Sequence, residues 1–134
     1  MPLFGWPAVT VPGLPSAWAS LSKRFGRLPL SEVLKPAIDY AANGFPVSPV
    51  VGKNWKRAFS TYAACKGEEF KFWFDTFAPG GRTPGSGEMF YAREQAGTLE
   101  EIGATHAESF YRGNLAEKID AFSKKYGGYL RGDD

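Results

Sequence analysis

Apolar positions recur at helical spacing in five stretches of the chain. Leu14, Trp18, Leu21 and Phe25 step by four, three and four, which puts them on one face of a helix. This predicts a helix from about Pro15 to Phe25. Pro15 suits the first turn, where its missing donor costs nothing, and Gly26 suits a C-terminal stop. Leu34, Ile38 and Ala41 predict a second helix over Ser31 to Asn43, capped by Ser31 and ended by Gly44. Pro36 conflicts with it, because a proline one turn inside removes a backbone donor and kinks the helix. Val51, Trp55, Phe59 and Tyr62 predict the longest helix, Ser48 to Lys66, with Ser48 as cap, Pro49 in first position and Gly67 as stop. Leu99, Ile102 and His106, continued by Phe110, predict a fourth over Glu94 to His106. Leu115, Ile119, Phe122 and Tyr126 predict a fifth over Asn114 to Tyr126, capped by Asn114 and ended by Gly127-Gly128.

Two segments break the helical period. Ala8-Val9-Thr10-Val11 reads as a short strand closed by Pro12-Gly13. Pro7 and Pro12 confine it to an edge or terminal position, and no second convincing strand offers itself as partner. Glu68 to Arg93 opens with Phe70, Phe72, Trp73, Phe74 and Phe77, which leaves room for a short helix. It then runs into Pro79-Gly80-Gly81-Arg82-Thr83-Pro84-Gly85-Ser86-Gly87, a long loop of the kind that is functional or packed on a neighbour. No internal repeat, low-complexity tract or domain boundary is visible. The expected fold is mainly α: about five helices, a short N-terminal strand and a long Gly/Pro loop, in a single unit spanning residues 1–134.

Composition sharpens this picture in two ways. Eleven Phe, six Tyr and four Trp among 134 residues supply a sizeable core. Sixteen Gly and ten Pro are heavy punctuation for a helical domain. Cys65 is the single cysteine, so neither an intrachain disulfide nor a cysteine-based zinc site can form. No metal or cofactor site is expected. No apolar run is long enough to span a bilayer. The start, Met-Pro-Leu-Phe-Gly-Trp, does not read as a secretory leader, which favours the cytoplasm. A net charge of +2 does not by itself imply nucleic acid.

Candidate chemistry is thin. His106 is the one imidazole and a potential general base, but no nucleophile elbow accompanies it, and the simpler reading is a partly buried helix residue. Glu68-Glu69 and Glu100-Glu101 are adjacent carboxylates that point apart on a helix and make no acid/base dyad. Glu32, Asp39 and Asp75 have no partner at a telling spacing. The Pro79–Gly87 loop lacks the preceding strand and the Lys-Ser or Lys-Thr of a phosphate loop. Lys23-Arg24, Lys53 to Arg57 and Lys124-Lys125 interleave with aromatics as nucleic-acid binders do, yet acidic residues nearly match the basic ones, and a solvated face explains them. Arg131-Gly132-Asp133 matches an adhesion tripeptide at the level of chance.

Two ordered series of motifs carry a resemblance. The first is Val11-Pro12-Gly13, an amphipathic helix, Arg24-Phe25-Gly26-Arg27-Leu28-Pro29-Leu30, Leu34-Lys35-Pro36-Ala37-Ile38 and Ala41 to Val47. The second is Thr98-Leu99-Glu100-Glu101-Ile102, Phe110-Tyr111-Arg112-Gly113, Leu115-Ala116, Ile119 and Gly127-Gly128-Tyr129-Leu130. Together they resemble the γ-glutamyltransferase (γ-glutamyltranspeptidase) family. The larger subunit of that family carries a VPG turn, a "yGxLP" helix end, "PAI…A…GFPV", and later "TLxxIA…FYxGxLAxxI…GGxL". The likeness runs from about Val9 to Leu130. Phe77 to Gly87 fits the family's Gly/Pro loop, and the inserted aromatic run Phe70 to Phe77 looks like a bacterial variant branch. The family also has a proline where Pro36 stands.

The resemblance implies a piece of an N-terminal-nucleophile hydrolase with an α/β fold. In that family a precursor cuts itself, and the new N-terminal Thr of the small subunit attacks a γ-glutamyl amide, using its own amine as base. Glutathione-type compounds are the implied substrates. Thr10, Thr61, Thr76, Thr83, Thr98 and Thr105 do not stand in the nucleophile's context, and Arg24, Arg27 and Arg112 do not match the substrate-binding arginine. No catalytic, cofactor-binding or metal residue is carried over. The expected role is therefore a non-catalytic large-subunit fragment. Its partners would be the rest of that subunit and the small subunit, with self-association through exposed apolar faces, and with neither nucleic acid nor membrane. The alternative is a free-standing helical protein-interaction module.

Overall fold

The structure, a computed structural model, describes residues 2–134. Among these it forms seven α-helices: α1 (Leu14–Phe25), α2 (Leu30–Asn43), α3 (Pro49–Ala63), α4 (Lys71–Phe77), α5 (Arg93–Thr105), α6 (Glu108–Arg112) and α7 (Asn114–Lys125). Two short strands, β1 (Phe45–Pro46) and β2 (Met89–Phe90), pair antiparallel with Phe45 opposite Phe90. Single 3-10 turns cover Trp6–Ala8 and Glu68–Phe70.

The strand expected at Ala8 to Val11 does not form. Pro7 and Pro12 each lack a donor, and the segment is a 3-10 turn followed by irregular chain. Trp6 anchors it instead, packing on Phe122 at 5.5 Å between ring centroids. The strands that do form are two residues each, too short for alternation to reveal. The pairing is prolonged by Val47 N–H to Glu88 O, 2.9 Å, and Gly87 N–H to Val47 O, 2.8 Å. The far end of the Gly/Pro loop is thereby stitched to the start of α3.

The α2–α5 pair is the most extensive helix contact. Leu30, Ala41, Ala96, Leu99 and Ile102 are buried between and around these helices. Gly103 permits the close approach: a Cβ there would lie 3.0 Å from the Cα of Ser31. α2 starts one residue before the expected cap, with Pro29 at the N-cap and no side-chain cap bond, so Ser31 lies inside the first turn. Pro36 is exposed within α2. Gly44 has φ 89°, and its missing Cβ leaves room for the Tyr91 ring, which would otherwise approach to 2.7 Å.

Ser48 caps α3 as expected, accepting from Val51 N–H at 3.3 Å, although α3 ends at Ala63 rather than Lys66. The aromatic run after it becomes α4 and packs within the chain. Trp73 stacks on Tyr62 (5.0 Å), Phe74 meets Phe59 edge-on (5.2 Å), and Phe77 meets Trp55 (5.4 Å), which in turn meets Phe90 (4.7 Å). On its other side α4 sends Phe72 to Phe122 of α7 at 5.0 Å. The aromatic half of the expected excursion therefore packs its half-buried rings on α3, β2 and α7 within the chain.

α5 ends at Thr105, and His106 and Ala107 both adopt left-handed conformations, φ 50° and 67°. The chain restarts as α6, which the continuous apolar period through Phe110 did not foretell. His106 is exposed at this corner and not on the apolar stripe; Ala107 takes the buried place. Asn114 is the first residue of α7 and makes no cap bond, Gly113 standing at the N-cap. No helix is long and apolar enough to cross a membrane among the described residues.

Candidate functional site

Two regions gather polar groups. The first is an open groove of about 580 Å³ between the first turns of α3 and the Gly/Pro loop, lined by Lys53, Lys56, Phe59, Arg82 and Ser86 among others. Arg82 donates to Glu88 at 2.7 Å, and Glu88 also accepts from Gly85 N–H at 2.9 Å. These bonds close the loop on itself. The Arg82 hydrogen bond, seconded by the Gly85 amide, holds the Glu88 carboxyl below its ordinary range, and the same pairing raises Arg82. The loop follows α4 and runs into β2 rather than into a helix start. It is not built like a phosphate loop.

The second region is the junction of the Val11-Pro12-Gly13 turn with α6. The Tyr111 hydroxyl donates to Pro12 O at 2.6 Å and accepts from Ser16 N–H at 3.0 Å. Ser16 N–H is one of the orphan donors at the start of α1, so a phenol from the distant end of the chain satisfies it. One side chain thus joins the first motif series to the second. Beside it lies an open cleft of about 630 Å³ lined by Ser16, Ser20, His106, Glu108, Arg112 and Asp133. Arg112 pairs with Glu108 at 3.0 Å. His106 and the serines share this solvent-open cleft without any nucleophile–base hydrogen bond among the described residues.

The remaining candidates are occupied locally. Thr61, Thr76, Thr98 and Thr105 each donate to the carbonyl one turn back: Arg57, Phe72, Glu94 and Glu101, at 3.2, 2.8, 3.1 and 2.7 Å. Such back-bonding is the habit of helical threonines. Thr10 and Thr83 lie in irregular chain. Glu101 accepts from the buried Ser109 hydroxyl while Glu100 is exposed, so the pair diverges as expected. Glu32 pairs with Lys35 at 2.8 Å, and Asp39 and Asp75 are exposed. Arg24 and Lys125 sit over their own neighbours' rings, Phe25 and Tyr126, and Lys124 pairs with Asp120 at 2.6 Å. That hydrogen bond holds Asp120 below its ordinary range. The guanidinium of Arg131 turns back to Gly128 O (2.8 Å) and Leu130 O (2.7 Å), so the Arg-Gly-Asp tripeptide is not displayed as an extended loop. No cluster of three His, Cys, Asp or Glu capable of holding a metal occurs among the described residues.

Tyr111 is the residue that reading for chemistry missed. Its signal was the Phe110-Tyr111-Arg112-Gly113 motif, which marks the position but not the bond.

Comparison with known proteins places this architecture. The chain superposes on a cephalosporin acylase from Bacillus halodurans with a TM-score of 0.96 at 47% identity, covering 99% of this chain and 25% of that one. It matches the gamma-glutamyltranspeptidase of Helicobacter pylori with a TM-score of 0.87 at 31% identity, covering 98% and 37%. The glutathione hydrolase-like YwrD proenzyme of Bacillus subtilis is 36% identical over 127 residues, 95% of this chain and 23% of that protein. The chain therefore spans from about a quarter to somewhat over a third of the length of these relatives. Its mainly helical fold is the one they share over the matched span. The family model for gamma-glutamyltranspeptidase matches residues 1–134, and the chain belongs to the gamma-glutamyltranspeptidase family.

Proposed function

We propose that this segment is a non-catalytic part of the large subunit of an enzyme that transfers or hydrolyses γ-glutamyl groups of glutathione-type compounds. The attacking N-terminal threonine belongs to the small subunit, outside these residues. The observation that carries the reading is the whole-chain match to about a quarter of an enzyme, joined to the local use of the threonines. Four of them are spent on carbonyls inside helices, and Thr105, although it precedes His106 in sequence, gives its hydroxyl proton to Glu101 O rather than to the imidazole. The partners are the rest of the large subunit and the small subunit. Left alone, the chain associates with itself through its exposed apolar face.

One observation favours a second reading of the parent's substrate. The identity to the cephalosporin acylase, 47%, exceeds the 31% to the Helicobacter pylori enzyme. The name of that relative makes an acylated cephalosporin the alternative substrate.

The test has two arms. The isolated 134-residue chain, checked for helix by circular dichroism, is expected to give no release from a γ-glutamyl anilide. Turnover that is lost on changing one of its Thr or Ser residues would overturn the non-catalytic assignment. The full-length polypeptide is then assayed against the γ-glutamyl anilide and against an acylated cephalosporin. Faster release from the anilide supports the γ-glutamyl reading, and faster release from the cephalosporin replaces it with the acylase reading.

A further inference from the structure

The groove between α3 and the Gly/Pro loop is rich in donors and poor in acceptors. Lys53 and Lys56 line it one turn apart on α3, with Phe59 beyond them, and Arg82, Thr83 and Ser86 line the facing wall. No carboxylate belongs to the lining. That absence begins in the sequence: no Asp or Glu occurs between Asp39 and Glu68, although Lys53, Lys56, Arg57 and Lys66 all fall in that stretch. Several cations elsewhere are answered within the chain. Lys35, Arg112 and Lys124 pair with carboxylates, and Lys71, Arg93 and Lys125 lie over rings. Lys53 and Lys56 have neither kind of partner among the described residues.

The loop wall is fixed before any ligand arrives. Gly81 N–H bonds Ala78 O at 2.9 Å, and Gly87 N–H bonds Val47 O at 2.8 Å. Between these anchors Glu88 holds both Arg82 and the Gly85 amide. Only Nη1 of the Arg82 guanidinium is engaged, so its Nε and Nη2 donors have no protein acceptor among the described residues. Charge then selects the ligand. Glu88 balances Arg82, which brings donors and no net charge, while Lys53 and Lys56 leave two positive charges unanswered. Residues three apart on a helix stand about 5–6 Å apart at Cβ, within reach of one head group for two flexible ammoniums. A carboxylate answers one of them. A phosphate monoester brings nearly two negative charges and three acceptor oxygens on a single head. Phe59, half-buried, offers the flank of a ring to an organic part. The volume of about 580 Å³ suits a small molecule.

We propose that this groove binds a small phosphate monoester, its phosphate held by Lys53, Lys56 and the free donors of Arg82 and its organic part resting against Phe59. Side chains are the ligands here, so the site needs none of the strand-and-helix framework by which a phosphate loop presents its amides. The assignment uses only residues of this segment and stands whichever amide the parent enzyme cleaves.

Hydrogen exchange in the full-length protein, at fixed ionic strength, tests it and localises the effect. Phenyl phosphate at millimolar concentration is expected to slow the amides of residues 81–88 by about fivefold. The slowing is expected to disappear in Lys53→Gln/Lys56→Gln and to persist in Arg57→Gln, whose cation does not line the groove. All three side chains are exposed, so the variants keep the fold. The effect is expected to grow between about pH 5 and pH 7, as the monoester takes its second charge. No slowing, or slowing that survives the double lysine change, overturns the site. Equal slowing by phthalate, whose two charges sit on separate heads, overturns the phosphate assignment. Equal slowing by inorganic phosphate overturns the organic part and leaves an adventitious ion only.

Discussion

Tyr111 shows how much one side chain does in this fold. Its hydroxyl satisfies two backbone groups that are 99 and 95 residues away in sequence. Removing it leaves the Pro12 carbonyl and the Ser16 amide to find water. Tyr111→Phe is expected to cost about 1–2 kcal/mol, read from the midpoint of urea unfolding, and to speed exchange of the Ser16 amide. Glycines of α5 provide a sharper contrast. Gly103 faces Ser31, where an added Cβ meets backbone at 3.0 Å, whereas Gly97 has open space around it. Gly103→Ala must push α2 away and is expected to destabilise by about 1–3 kcal/mol. Gly97→Ala is expected to stabilise by up to about 1 kcal/mol, the difference in helix propensity. Urea titration of both variants checks the opposite signs, and equal signs would refute the close crossing of α2 and α5.

The Gly/Pro loop is the element whose order depends on charge. Glu88 accepts from Arg82 and from the Gly85 amide, and its carboxyl is held low by that pair of bonds. A carboxyl whose folded value is depressed contributes its stabilisation above the ordinary glutamate range and loses it as pH falls through the folded value. The loop is therefore expected to loosen in acid, below that ordinary range, and Glu88→Gln is expected to loosen it at neutral pH. The amide of Gly85 reports both by faster hydrogen exchange. High salt weakens the same exposed pair. The α5–α6 corner contrasts with this loop: backbone geometry makes it. Residues 104–107 contain neither glycine nor proline to announce the break, and the left-handed pair His106–Ala107 exists because Ala107 is buried on arrival.

At the scale of the molecule, the rings divide the work. α3, α4 and β2 share a continuous aromatic seam through Trp55, Phe59, Trp73, Phe77 and Phe90, and α7 joins it through α4. Trp55→Ala removes ring contacts on both sides of the seam and is expected to cost about 2–4 kcal/mol, short of the full range for a buried ring because Trp55 is half-buried. Loss of near-ultraviolet circular dichroism at a lower temperature checks it. The helical lobe built on α2 and α5 instead leaves α1 uncovered. Light scattering on the isolated chain is expected to show weak, concentration-dependent association, reduced by Leu21→Ser/Phe25→Ser. A clean monomer at high concentration would count against exposure of that helix.

The apolar period by itself determined five of the helices, because residues such as Leu115, Ile119 and Phe122 repeat at the pitch of the backbone and need no distant partner to be recognised. The ordered motifs, from Val11-Pro12-Gly13 to Gly127-Gly128, determined the family. The tertiary structure alone decided the rest. Whether Ala8 to Val11 becomes a strand depends on a neighbour, and Trp6 found α7 instead. Phe45 and Phe90 pair because α2 and α5 bring them together. Where the surplus rings go was undecidable from the run Phe70 to Phe77, since burial is a relation between segments and has no local period. For the same reason the candidate chemistry, from His106 to the threonines, could be named from residue type but weighed only once the partners of each group stood beside it.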